Sequence, residues 1–337
     1  MKKLLALLIV AGLALMTGCS KSSDSPSGSG DSGTGRKLTI GLMPKSKGNA
    51  YFISCKQGAD QAAKELGVEV LFDGPTDPDP AKQNEIVENW ITLGVDVIAA
   101  ACENKEGISS ALRKAQQKGI KVLTFDSDAA TDARSFFVNQ ATPEGIAYTL
   151  MDEAARLIGD EGEFAIITAS LTAANMHEWQ KHIELRRSSK FPNLKMVALR
   201  PCDDLKDKAQ SEATALLGAY PNLKLIMAIC SPAVPGTAEA VKQAGKAGQV
   251  KVIGLGLPNE NRRYLKDGVT QSVILWKTLD LGYLTIHAAK SLADGALRRG
   301  ATTYNAGKLG QMEIKGDNIL LGKPFIFNKD NIDQFDF

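Results

Sequence analysis

From Leu38 onward the chain repeats one pattern: a short run that is apolar at nearly every position, then a longer stretch with apolar residues three and four apart. Apolar runs fall at 38–43, 69–72, 96–101, 121–125, 164–168, 195–199, 223–229, 250–255 and 271–275. Helical periodicity lies between most of them, at 53–66, 81–93, 107–118, 144–158, 176–188, 206–218, 234–245 and 259–266. A strand that is apolar along its whole length must be covered on both faces, which is the situation of a parallel sheet with helices on each side. The pattern therefore predicts an α/β fold of the doubly wound kind. The series divides into two similar halves near "SFFVNQATPEG", where Thr142 and Pro143 can open a new helix. Two such sheets side by side leave a cleft at the carboxyl ends of both strand sets, where ligands bind in this architecture.

Ahead of Leu38 the pattern changes. A basic "MKK" precedes an apolar stretch, Leu4 to Leu15, which has the length of a signal-peptide core. It is too short to cross a bilayer, which takes about 20 residues. The stretch runs into "LMTGC", where Thr17 and Gly18 precede Cys19. This resembles a bacterial lipobox, with Met16 in place of the usual leucine, and implies lipidation of Cys19 as the mature N-terminus. Residues 20–36, almost all Ser, Gly and Asp, read as a flexible tether. The globular part is expected to start near Arg36 and to sit on the periplasmic or extracellular face of a membrane.

Composition narrows the work of that globular part only slightly. At 44% hydrophobic and 23% charged it is globular, and a net charge of +2 offers no basic excess for nucleic acid. After Cys19 the cysteines are Cys55, Cys102, Cys202 and Cys230, with no CxxC spacing and so no zinc signature. Free, buried thiols are expected.

The loop after the first strand, "PKSKGN", has one glycine and no Gly-Lys-Ser/Thr ending, so it is a poor phosphate cradle. "GLGLPN" at 254–259 likewise lacks the third glycine of a dinucleotide fingerprint, and no nucleotide or other cofactor is expected. Lys45 and Asn49 are polar arms at the rim of the cleft. Tyr51 and Phe52, opening the first helix, offer flat faces to a sugar ring or else belong to the core. Asp126 and Asp128 end the fourth strand and suit a metal, a catalytic carboxylate pair or, most economically, hydroxyl acceptance with Asp126 inward and Ser127 or Asp128 capping the next segment; further Asp, Glu or His near them is not evident. In "TAANMHEW", Asn175 can cap a helix or face the cleft, and Trp179 can be core or ligand shelf. Asp203 and Asp204 follow another strand, where capping is the simpler role. Trp276 ends the last main strand at the expected hinge side. His177 and His182 have a poor spacing for a shared metal, and no GxSxG elbow occurs.

These residues carry a family resemblance. The stretches "GPTDPDPAKQNEIVENWITLGVDVI", "GIKVLTFDSDA", "FFVNQATPEG", "GLGLPNE" and "FIFNKDNIDQFDF" look like the sugar-binding proteins of bacterial ABC importers, of the ribose-binding type. Within that group they are most similar to the rhamnose-binding and autoinducer-2 receptor branch, over essentially all of 37–337. The resemblance implies the type I periplasmic binding protein fold, two Rossmann-like lobes that close on ligand about a hinge of three crossovers. The crossovers are expected near Gln140, Trp276 and Lys308, giving lobes of 37–139 plus 277–308 and 140–276 plus 309–337.

The ribose pattern matches Asn49, Tyr51, Phe52 and Asp126, and places second-lobe polar positions near Asn175, Cys230 and Gly256. Its arginines near Asn175 and after Asp126 are missing, and so is its aspartate at Gly256. The autoinducer-2 pattern matches Lys45 and Asp126, but has Asp-Gln where Asn175 and Met176 stand, and Pro and Ala where Ile229 and Ser231 stand. The function implied is capture of a small sugar, a monosaccharide or deoxy sugar, for an ABC permease. An autoinducer-2 receptor is the alternative, and an exported sugar-active enzyme a more distant one. Ligand contacts are expected from Lys45, Asn49, Tyr51, Phe52, Asp126, Asp128, Gln140, Asn175, Trp179, Asp204, Ser231 and Trp276. A monomer held by a lipid on Cys19 is the expected form.

Overall fold

The computed structural model describes residues 36–337, so Cys19 and the tether up to residue 35 lie outside the described residues. In the first half, strands β1 (Thr39–Met43), β2 (Glu69–Phe72), β3 (Val97–Ala100), β4 (Lys121–Phe125) and β5 (Phe137–Asn139) alternate with helices α1 (Ala50–Leu66), α2 (Pro80–Leu93) and α3 (Lys105–Gln117). The second half begins with α4 (Pro143–Ile158) and runs through β6 (Glu161–Thr168), α5 (Ala174–Lys190), β7 (Asn193–Pro201), α6 (Lys206–Ala219) and β8 (Leu223–Ala228). It continues with α7 (Ala233–Gln243), β9 (Lys251–Leu255), α8 (Pro258–Lys266) and β10 (Ser272–Leu275). The remainder is α9 (Thr278–Ala293), β11 (Thr303–Asn305), β12 (Gln311–Lys315), β13 (Asn318–Leu320) and β14 (Phe325–Phe327).

Two sheets result, and each repeats one strand order. The first runs β2-β1-β3-β4-β5, all parallel, then continues through β13 to an antiparallel β12 and β11. The second runs β7-β6-β8-β9-β10, parallel, with β14 antiparallel at its edge. Strands β1, β3, β8 and β10 are buried at every position, as their unbroken apolar runs require, apart from the exposed Lys224 of β8. The edge strands β2 and β7 differ, with exposed and half-buried positions along them.

The chain passes between sheets at 140–142, at 276–277 and at 321–324. The third crossing differs from the expectation near Lys308. Strands β12 and β13 pair back onto β5 of the first sheet, so 309–320 belongs with the first lobe and only the segment from β14 with the second. Short, irregular sequence around Lys308 gave no period from which that pairing could be read.

Helix α9 has no counterpart among the helices the periodicity predicts, because its apolar residues surround it. It is buried along most of its length, so no polar stripe marks it. It lies directly on α1: a Cβ at Gly58 would sit 1.8 Å from the Leu279 carbonyl oxygen, and one at Gly282 would sit 1.8 Å from that of Cys55. Two glycines thus bring the helix backbones into contact, and a hydrogen bond between the Ser54 and Thr278 hydroxyls closes the same seam.

Candidate functional site

Strand order locates the site. In a 2-1-3-4-5 sheet, the loops after the first and third strands diverge to opposite faces and leave a crevice. In the first lobe those loops follow β1, with Lys45 and Asn49, and β3, with Glu103. In the second they follow β6, with Ser170 and Asn175, and β8, with Ser231. The two crevices face one another.

Local backbone geometry aims the side chains. Asn49 is the N-cap of α1, its side-chain oxygen accepting from the Tyr51 amide at 2.9 Å, which fixes the helix start at the cleft. Asp126 follows β4 in the left-handed region, with φ +61°, and Asp203 and Asp204 follow β7 with φ +53° and +57°. Non-glycine residues avoid this region, and a residue held there at a strand end marks a position the surrounding structure imposes. Neither Asp203 nor Asp204 caps α6, whose start carries no side-chain cap; Asp203 is exposed and pairs with Lys208, while Asp204 lines the cleft.

The two walls meet around a cavity of about 40 Å³. That is room for a few water molecules, well below the roughly 300–1,000 Å³ of a typical small-molecule site, so the walls here are drawn tightly together. The first lobe contributes Lys45, Asn49, Tyr51, Phe52 and Asp126. The second contributes the polar Asn175, Asp204 and Ser231, and an apolar group of Met176, Trp179, Ile229, Cys230, Leu255, Leu275 and Trp276. Direct bonds join the walls. Asn49 Nδ2 donates to Asp204 Oδ2 at 2.8 Å, and Ser231 Oγ donates to Asn49 Oδ1 at 3.1 Å. Lys45 Nζ donates to Asn175 Oδ1 at 3.5 Å, and Ser170 Oγ to Glu103 Oε1 at 2.7 Å. At the crossing, Trp276 Nε1 donates to the Tyr51 hydroxyl at 2.8 Å, with the two rings edge to face.

Charge in the cleft is unbalanced toward the negative. One buried cation, Lys45, faces three carboxylates, the buried Asp126 and Glu103 and the half-buried Asp204. Burial alone would pull the Lys45 ammonium down, but Asp126, Glu103 and Asp204 outweigh it and hold its pKa above the ordinary value. Burial raises the Asp126 carboxyl above the usual range, against the pull of Lys45, whose Nζ lies 3.6 Å away. Asp204 is raised by burial in the same way, against Lys45 and Asn49. Burial and the Asp126 charge push the Tyr51 phenol well up, so it stays a neutral hydroxyl. Asp126 Oδ2 is fully buried with no donor inside hydrogen-bond distance, its nearest cation being Lys45 Nζ at 3.6 Å, while the Tyr51 hydroxyl also acts on the same carboxyl. Leaving such an acceptor unsatisfied costs on the order of 1–3 kcal/mol, more for a charged group, so the site is built to receive a donor.

A family model described as a periplasmic binding protein domain matches residues 40–297. The chain belongs to the periplasmic binding protein family. That family consists of solute-binding proteins of ABC transporters rather than enzymes. This periplasmic binding protein is 29% identical over 248 residues to a D-ribose/D-allose-binding protein of Pseudomonas aeruginosa, covering 70% of this chain and 76% of the relative. Among solved structures it is similar to a solute-binding protein of Clostridium phytofermentas with bound L-rhamnose, at 30% identity and a TM-score of 0.84, covering 89% of this chain and 98% of the other. It is also similar to LsrB of Clostridium saccharobutylicum in complex with AI-2, at 25% identity and a TM-score of 0.85, covering 89% and 100%.

Ten of the twelve residues expected at the ligand line the enclosed cavity of this binding protein: Lys45, Asn49, Tyr51, Phe52, Asp126, Asn175, Trp179, Asp204, Ser231 and Trp276. Tyr51 and Phe52 are also core residues, with Phe52 edge to face on Phe125. Asp128 and Gln140 do not line that cavity; they line an adjoining hollow of about 490 Å³ that shares Asp126, Asn175 and Trp179 with it. Asp128 is taken up by Arg134, with Arg134 Nη2 at 2.6 Å, and by the Thr124 hydroxyl at 2.5 Å. Gln140 holds the Asp126 backbone, its Nε2 donating to the Asp126 carbonyl at 3.0 Å. Both therefore support the strand-end turn that carries Asp126.

Sequence reasoning passed over Glu103, Leu255 and Leu275. The end of β3 gave the only signal for Glu103, since a carboxylate following an apolar strand is placed at the crevice in this fold. The four later cysteines are free and buried.

Proposed function

We propose that this chain is the extracytoplasmic solute-capturing component of an ABC sugar importer, and that its ligand is a small neutral sugar with one hydroxylated and one deoxy edge. The observation that carries this reading is the buried Asp126 carboxyl, whose Oδ2 has only Lys45 nearby, at 3.6 Å, and can accept a further donor. An acceptor in surroundings of net negative charge suits hydroxyl donors and repels phosphate or carboxylate groups.

The opposite wall supports the deoxy edge. The Met176 sulfur already accepts from the Thr168 hydroxyl and the Ala169 amide, both at 3.4 Å, so toward the cavity the side chain has only hydrocarbon to offer. Leu255, Leu275 and Ile229 extend that apolar face. The ligand is held by Lys45, Asn49, Asp126, Asn175, Asp204 and Ser231, with Tyr51, Phe52, Trp179 and Trp276 as apolar walls. A cavity enclosed by both lobes fills only if they part and close again about the crossings, so hinge motion is the binding step. The closed form then presents one continuous surface to a permease. Lipidation of Cys19 holds the protein, as a monomer, to its membrane; the "LMTGC" motif supports that part, and mass spectrometry of the mature N-terminus tests it.

Calorimetric titration with L-rhamnose, L-fucose, D-ribose, D-allose and a sugar phosphate tests the ligand class. Tight binding of a deoxy sugar with no response to the phosphate is expected. Binding of the phosphate as tightly as any neutral sugar overturns the reading. Autoinducer-2 is the second reading, favoured by Lys45 and Asp126 in the first wall and by the likeness to the LsrB structure. Tight binding of that signal with silence across the sugars would make it the first.

A further inference from the structure

Behind the second-lobe wall, two thiols lie side by side. Cys202 follows β7 and Cys230 follows β8, and their sulfurs are 3.5 Å apart, both free and buried. No other pair of cysteines among the described residues is recorded in such contact. Each thiol sits just ahead of a residue that grips the other lobe. Asp204, two residues after Cys202, accepts from Asn49 at 2.8 Å; Ser231, next after Cys230, donates to Asn49 at 3.1 Å. The single side chain of Asn49 is therefore held between the two loops that carry the sulfur pair.

We propose that Cys202 and Cys230 form a disulfide-forming site that controls this clamp. A disulfide bond is about 2.05 Å long, so closing it draws the sulfurs together by about 1.5 Å. Where the loops rather than the side-chain torsions take up that movement, one of the two bonds to Asn49 is stretched beyond hydrogen-bond length. Oxidation thus weakens lobe closure. The oxidant is a small disulfide of the glutathione type, in keeping with a protein of an oxidising compartment. The Cys230 thiolate attacks one sulfur of the glutathione disulfide and expels a glutathione thiolate, leaving a mixed disulfide. The Cys202 thiolate then attacks Cys230 Sγ and expels the second glutathione. One S–S bond breaks and one forms; the two protein thiols lose two electrons, and two molecules of glutathione thiol are released. Cys230 borders the cavity, so it is reached from the cleft when the lobes are apart. Burial pushes its thiol well up in the closed form, keeping the reactive thiolate scarce there.

The effect on ligand affinity rests on the reading of this cavity as the sugar site, whereas the linkage and the lobe opening do not. The full-length protein is incubated with glutathione disulfide or with dithiothreitol, then analysed by intact mass, by peptide mapping and by small-angle X-ray scattering. A 2-Da loss mapped to a Cys202–Cys230 peptide, with a larger radius of gyration than the reduced protein, is expected. L-rhamnose affinity, measured in parallel, is expected to fall about tenfold on oxidation, the equivalent of about 1.4 kcal/mol and one hydrogen bond. Cys202→Ala is expected to show neither linkage nor a change in size. Failure to form the linkage while both thiols titrate in denaturant overturns the proposal, as does a linked protein of unchanged radius. The wild-type mass and size decide both points even if the variant does not fold. L-rhamnose that binds neither form counts against the deoxy-sugar reading alone.

Discussion

Replacing Asn49 separates the two tasks its side chain performs. Its oxygen caps α1 and accepts from Ser231, and its nitrogen donates to Asp204. In Asn49→Ala all three bonds go. Loss of the cap costs the first lobe about 1 kcal/mol of folding stability whether the lobes are open or closed. The other two bonds exist only on closure: the neutral one contributes roughly 0.5–1.5 kcal/mol and the one to the carboxylate roughly 1.5–3. Closure therefore weakens by about 2–4 kcal/mol, which lowers ligand affinity by roughly 30- to 1,000-fold where the closed form is the binding form.

Asn49→Asp keeps the cap and the Ser231 bond but sets one carboxylate against another. Its melting temperature without ligand is expected to stay near wild type while L-rhamnose affinity falls at least as far as in Asn49→Ala. As the pH is lowered, one of the paired carboxyls takes up a proton and becomes a donor to the other, so affinity should return toward acid. Calorimetry at two pH values, a thermal melt and small-angle scattering on both variants check this. Wild-type affinity in Asn49→Asp, or loss of affinity no greater than the loss of the cap predicts, would refute the clamp.

Asp126→Asn is expected to bind less tightly yet melt higher. The Asp126 pKa is raised by burial, so the folded state holds its proton more strongly than the unfolded chain does. Stability falls as pH rises from the ordinary carboxylate pKa through the raised value, and an amide is free of that cost at neutral pH. Asparagine also accepts the left-handed backbone at this position, and a gain of about 2–5 °C at neutral pH, vanishing in acid, is the expected melt. Met176→Gln puts a donor into the apolar wall; in the calorimetric panel it should shift preference from L-rhamnose toward a sugar with a hydroxyl in place of the methyl group, by tenfold or more. Gly58→Ala forces a Cβ to within 1.8 Å of the Leu279 carbonyl and should cost upwards of about 1–3 kcal/mol in a denaturant titration, with failure to fold as the extreme.

What the sequence disclosed and what it hid follow from the physics of each element. Strands β1, β3, β8 and β10 announce themselves because a strand covered on both faces must be apolar throughout. Lys45, Asn49, Asp126 and Asn175 were legible for the same reason, since a polar residue directly after such a strand lands at the crevice. Helix α9 was hidden by its own burial: with apolar residues all round, it has no stripe to detect. The pairing of β12 and β13 with β5 was hidden because contact between 137–139 and 318–320 leaves no local signature in either segment. Asp128 and Gln140 show the finest limit. Two aspartates two residues apart look equivalent in a sequence, but the left-handed turn at Asp126 sends one into the cavity, while Arg134 takes the other.

The backbone contact at Gly58 and Gly282 has a use beyond stability. Helix α1 carries Asn49, Tyr51 and Phe52 at its start, and α9 leaves the second crossing at once after Trp276. Joined at van der Waals distance, the two helices are expected to turn as one lever when the lobes close, its short arm the cavity wall and its long arm running out to the solvent-facing residues of α1, Lys64 among them. An environment-sensitive dye on that long arm, paired with one on the second lobe, would convert the capture of a single small molecule into an optical reading. The cavity side chains could then be redesigned for other sugars while the lever stayed as it is.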